Sequence, residues 1–132
     1  MRAFREAVLS GDLDAVEALL AEDVVFTSPV VFAPYSGKAI TAAILREVAQ
    51  VMEDFRYERE LAGADGRDHA LVFAARVGDR EISGCDFLHL DEEGLVDEMT
   101  VMVRPLSAAQ ALAAAMGARF DRIAAEAQKR RA

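Results

Sequence analysis

The chain has 132 residues, of which 53% are hydrophobic, with few prolines and glycines, a length and composition that predict one soluble globular domain with its own core. The formal net charge is −8, and an acidic body argues against nucleic acid as a partner. No stretch reaches the roughly 20 apolar residues of a membrane span, and the opening MRAFREAVLSGDLDAV breaks its apolar residues with charges of both signs, so no membrane segment or signal peptide is expected and the cytoplasm is the default location.

Taken in chain order, Phe4, Val8 and Leu9 recur at helical spacing, Ser10-Gly11 interrupts the run, and Asp12 is placed to cap a second helical segment carrying Leu13, Val16, Leu19 and Leu20. DVVFTSP reads as a short strand ending at Pro29, and VVFAPYSG as an apolar loop that packs over something. Ile40, Ile44, Val48 and Met52 predict an amphipathic helix over 38–52. Four β-runs follow at 55–62, 69–77, 80–90 and 95–104, separated by the turn signals GADGRD, GD and DEEG, which predicts an antiparallel meander. Leu71, Phe73, Ala75 and Val77 oppose Ala70, Val72, Ala74 and Arg76, so the sheet is expected to be covered on both faces. Ser107 and Gln110 have capping-box spacing, and Leu112, Met116, Phe120, Ile123 and Ala127 form the stripe of one terminal helix. From Pro105 onward five Lys/Arg outnumber two acids, a basic tail that reads as a solvated helix end beside its dipole. The fold class is α+β: helices on one face of a curved antiparallel sheet that encloses a tapered cavity.

One residue breaks the pattern. Ile82, Gly84, Asp86, Leu88 and Leu90 share a strand face, and Asp86 alone on it is charged. A dry, unpaired carboxylate is costly, so Asp86 must be protonated, hydrogen-bonded, paired with a cation or open to an internal cavity. Ser28 and Tyr35 are candidate hydroxyl partners in that cavity. Phe4, Phe26, Val30, Phe32, Phe73, Leu88, Met99, Val101 and Val103 are candidate walls, although a filled core demands the same side chains. His89 lies on the opposite strand face with Cys85 and Phe87, and the lone cysteine reads as packing rather than a nucleophile. With the two histidines on separate strands and no close ligand cluster, no metal site is expected. No phosphate-binding glycine loop or nucleophile elbow occurs, so no cofactor is expected.

The segments SGDLDAVEALLAEDVVFTSP, SPVVFAPYSGKAI and CDFLHLDEEGLVDEMTVMVRP, in this order and spacing, resemble the nuclear transport factor 2-like (NTF2-like) fold, in the branch of ketosteroid isomerases and SnoaL-like polyketide cyclases. The resemblance covers residues 4 to about 104. It implies a cone-shaped domain over 1–104 with an added amphipathic helix over 105–132 packed on it. Among isomerases the inward strand acid is protonated and donates to an oxyanion, and it falls on Asp86. The isomerase general base falls on Ser28, its phenol on Phe4, and a supporting tyrosine near Leu45. Related epoxide hydrolases carry an arginine where this chain has Gly84. The expected function is therefore binding of a small hydrophobic, carbonyl-containing molecule, with acid–base catalysis by Asp86. The alternative is a non-catalytic ligand-binding or dimerisation module. A homodimer is expected through the face bearing Val72, Ala74, Cys85 and Phe87.

Overall fold

The computed structural model describes residues 1–131. Helices α1 (Arg2–Ser10) and α2 (Leu13–Ala18) lead into strand β1 (Leu20–Thr27), short strand β2 (Tyr35–Ser36) and helix α3 (Lys38–Val51). Strands β3 (Glu53–Ala62), β4 (Asp68–Val77), β5 (Arg80–Leu90) and β6 (Val96–Arg104) follow, then helices α4 (Leu106–Gly117) and α5 (Phe120–Arg131). The break between α1 and α2 is local chemistry. Gly11 sits at φ 73°, a left-handed conformation that glycine adopts without steric cost. The Asp12 carboxylate then accepts a hydrogen bond from the Ala15 N–H at 3.1 Å, opening α2.

The strands form one six-stranded sheet in the order β2-β1-β6-β5-β4-β3. β3 to β6 are the expected antiparallel meander, but β1 joins β6 in parallel, so the curved sheet is mixed and unclosed. The helices lie on its inner face. There Leu71, Phe73, Leu88, Met99 and Val101 bury their side chains against Phe4, Val16, Ile44 and Leu45, an arrangement driven by removing these apolar surfaces from water. A smaller cluster of Ala75, Val77, Ile82, Ala108 and Leu112 fills the space under α4.

The outer face corrects one expectation. Phe87, Met102, Leu61 and Val25 are 43%, 59%, 53% and 36% exposed, so within one chain the sheet is covered on one side only.

The terminal segment differs as well. The expected capping box is absent: the helix starts at Leu106 behind Pro105, which places Ser107 and Gln110 inside the first turns. Instead of one helix there are two, parted after Gly117, a residue that weakens helix continuity. The turn lets α4 lie along β4–β6 while α5 crosses α3. The basic tail is clasped in part: Arg119, Arg122 and Arg130 pair with acids, while Lys129 and Arg131 remain exposed. Arg119 and Arg122 donate to the buried Glu47 carboxylate of α3 at 3.2 and 3.0 Å. Arg130 reaches Glu17 at 3.1 Å, and Arg46 bonds the same carboxylate at 2.8 Å. Burial acts to raise the Glu17 pKa, but the hydrogen bonds from Arg46 and Arg130 outweigh it and hold the group below its ordinary value.

Gly84 is required by packing. A Cβ there would lie 2.4 Å from Cζ of Phe73 and 2.7 Å from the Met102 carbonyl oxygen. The Phe73 ring occupies that space and stacks on Phe55 with centroids 5.0 Å apart.

Gly84→Ala is expected to lower stability by roughly 1–3 kcal/mol in urea denaturation, with part of the loss restored by adding Phe73→Leu. An unchanged midpoint for the single variant would mean the ring has room to move. Glu47→Ala should cost about 2 kcal/mol, because two charge-assisted hydrogen bonds go with it. Arg122→Ala, at a mostly exposed side chain, should cost less than about 1 kcal/mol in the same assay.

Candidate functional site

Between the inner face of the sheet, α1, α3 and the α4–α5 elbow lies a cavity of about 560 Å³. Three regions of chain build it. β5 and its neighbours supply Asp86, Phe73, Met99 and Val101; the N-terminal half supplies Phe4, Val16, Phe26 and Leu45; the terminal helices supply Leu112, Met116, Phe120 and Ile123. Among the described residues no Lys, Arg or His lines it.

Asp86 is 6% exposed and points inward between Leu71 of β4 and Val101 of β6, its register partners. Among the described residues no donor bonds its carboxyl. Burial alone pushes its pKa up, to about 7, because the ionised form has lost water and gained no partner. The group is therefore divided between acid and carboxylate near neutral pH.

Of the other expected site residues, Phe4, Phe26, Ser28, Val30, Tyr35, Phe73, Met99 and Val101 line the cavity. The Ser28 oxygen accepts the Val30 and Val31 N–H groups at 3.2 and 2.9 Å, so it shapes the loop after β1 and does not reach Asp86. Tyr35 stacks on Phe26 with centroids 6.4 Å apart and makes no bond to Asp86 either.

Three expected wall residues lie elsewhere. Phe32 is 99% exposed; the loop after Pro29 has no strand pairing, so strand alternation says nothing about where its side chain goes. Leu88 is buried in solid core two residues beyond Asp86. Val103 packs at the α4 end of the sheet, where the second cluster fills the space.

Tyr57 of β3 was missed. Its register partner is Phe73, its ring meets Phe55 edge-on at 5.0 Å, and it lines the cavity. Its hydroxyl is buried with no hydrogen-bond partner. Burial first, and the nearby Asp86 charge second, push the phenol well above its ordinary pKa. Strand alternation puts Phe55 and Tyr57 on one face, the signal in the sequence that marks Tyr57 as inward.

The outer face corrects the expectation of no close ligand cluster. His89, Asp97 and Glu98 bring potential ligand atoms within 4.8 Å of one another, because His89 and Glu98 are register partners across β5 and β6. His89 Nδ1 bonds Asp97 Oδ1 at 2.6 Å, and that bond raises the imidazole pKa, as a surface charge pair does. Cys85 shares this face, and burial followed by the Asp86 charge raises its thiol pKa, which disfavours the thiolate a nucleophile needs.

The model of the SnoaL-like domain matches residues 1–99. Among solved structures, the chain is similar to a steroid delta-isomerase from Pseudomonas aeruginosa at 43% identity and a TM-score of 0.87, over 92% of this chain and 89% of that one. It is also similar to an uncharacterized protein conserved in bacteria, with a cystatin-like fold, from Silicibacter pomeroyi (39% identity, TM-score 0.84, 89% and 82% covered). An NTF2-like protein of unknown function from Cytophaga hutchinsonii, 18% identical with a TM-score of 0.61 over 78% and 85%, shares the fold. No curated protein sequence matches. The matched domain spans both the cavity-facing acid and most of the sheet that carries it, and the chain belongs to the SnoaL-like domain family on the NTF2-like fold.

Proposed function

We propose that this protein binds a small, uncharged hydrophobic carbonyl compound in the cavity and that Asp86 moves a proton beside the carbonyl. The observation that carries this reading is an unpaired, desolvated carboxyl on the wall of a largely apolar, cation-free cavity. A wall without cations disfavours phosphate and carboxylate ligands, whose charge would lose its water with no compensation. A pKa near the working pH suits general acid–base catalysis, since the base form is populated and its conjugate acid can return the proton. In such a step the Asp86 carboxylate takes a proton from the carbon next to the carbonyl, leaving an enolate. The same proton then returns to another carbon of the conjugated system, and the carboxylate is regenerated. The likeness to a protein described as a steroid delta-isomerase supports this chemistry.

A binding role without catalysis is favoured by one observation. The position that resembles the isomerase base is Ser28, and its oxygen is committed to two backbone N–H groups. Asp86 would then serve only as a hydrogen-bonding anchor.

Assembly belongs to the same proposal. The exposed apolar outer face with Phe87 and Met102 fits a second copy of the chain, with the cytoplasm as its compartment and no membrane partner; among the described residues no helix is long and apolar enough to cross a membrane. Light scattering should give twice the 14.3 kDa chain mass at micromolar concentration, and Phe87→Lys should shift the species toward a single chain.

Asp86→Asn tests the catalytic part. The folded pKa of Asp86 lies above the roughly 3.9 of an unfolded aspartate. Its contribution to stability is therefore fully present below about pH 4 and is lost as pH rises through about 7. The Asn variant should keep the fold, flatten the pH dependence of the melting temperature across that window, and lower any proton-transfer rate by about 10² or more. A carbon-13 titration placing the Asp86 carboxyl at or below the exposed value would defeat the desolvated-acid reading.

A further inference from the structure

The Tyr57 hydroxyl is buried without a hydrogen-bond partner, an arrangement that costs roughly 1–3 kcal/mol relative to a satisfied group. A phenylalanine would fill almost the same volume without that cost, so the oxygen calls for a reason. Its surroundings hold the ring in place: Phe55 meets it edge-on, and Phe73 lies opposite it in register on the inner face that also carries Asp86. Strands β3 and β5 flank β4, and Asp86 lies two residues along β5 from Gly84, which is level with Tyr57, so the two residues stand about 12 Å apart across the sheet at the backbone, and both line the same cavity.

We propose that Tyr57 is a second ligand-anchoring group, whose O–H donates a hydrogen bond to an acceptor oxygen of the molecule in the cavity, so that β3 and β5 hold the ligand's polar end between them. The inference rests on the reading that the cavity takes an uncharged carbonyl compound, and it narrows that class. The ligand needs an acceptor oxygen on the side facing β3. A hydrocarbon of equal size would leave the phenol unpaired and bind less well, a discrimination that buried polar groups make more sharply than apolar contacts do. The phenol stays a donor over the whole working range, because burial and the neighbouring acid both disfavour its ionisation.

The test uses two neutral probes on the full chain: 6-propionyl-2-(dimethylamino)naphthalene, whose emission moves to the red when its ketone accepts a hydrogen bond, and 2-(dimethylamino)naphthalene, which lacks the ketone. With no tryptophan in the chain, the probe fluorescence is read cleanly. Tyr57→Phe should weaken the ketone about five- to tenfold, move its bound emission to the blue, and leave the ketone-free probe within about twofold. The unliganded variant should melt at or above the wild type, since an unpaired hydroxyl has been removed. Equal weakening of both probes, or a lowered melting point with unchanged ketone binding, would make Tyr57 a packing residue and overturn the proposal. Ketone binding and emission untouched by the substitution would overturn it while leaving the cavity reading intact. Failure of the wild type to bind either probe would defeat the cavity reading and this assignment together.

Discussion

The buried carboxylate of Glu47 is the point on which the cavity depends. It lies on α3 beneath α5, and with Arg119 and Arg122 bonded to it it fixes where the terminal helices rest. Those helices bring Leu112, Met116, Phe120 and Ile123 to the cavity wall. They close one side of the cavity, and the exclusion of water from it is what raises the Asp86 pKa. The charge clasp on one side of α3 and the raised pKa on the other are thus linked through the exclusion of water.

The sheet itself keeps cations away from the acid. Gly84 precedes Asp86 by two residues on the same face, and the absence of a side chain there admits the Phe73 ring. That ring and its stack with Phe55 occupy the position from which a side chain at 84 would have approached Asp86. The result is a carboxyl whose charge nothing offsets, in a largely apolar wall whose other polar groups are hydroxyls. This differs from an arginine-supported acid pair, and it restricts the chemistry to what a single carboxyl near its midpoint is able to do.

One fold hosts many functions, so fold membership leaves the activity open. The site is defined by where its polar groups stand. The position resembling the isomerase phenol is Phe4, buried in the core cluster, while a phenol enters the cavity from β3 at Tyr57. The serine at the position of the base is tied into its own loop.

Much of this was legible in the sequence because it follows from short-range rules. Period-two alternation placed Asp86 inward among apolar neighbours, Gly11 and Asp12 marked the break between the first helices, and the β-runs with their turns marked the meander. Side-chain parity along β3 would have marked Tyr57 too. Other features were decided only by the tertiary structure, because they depend on which elements meet. The basic tail is clasped by Glu17 and Glu47 because folding carries α5 across α3, residues 70 or more positions apart in the chain. The terminal stripe became two helices because α4 and α5 bury against different surfaces. Whether the apolar wall encloses a cavity or a filled core was invisible in composition, since both need the same side chains; only the packing distance between sheet and helices determines which volume is left empty.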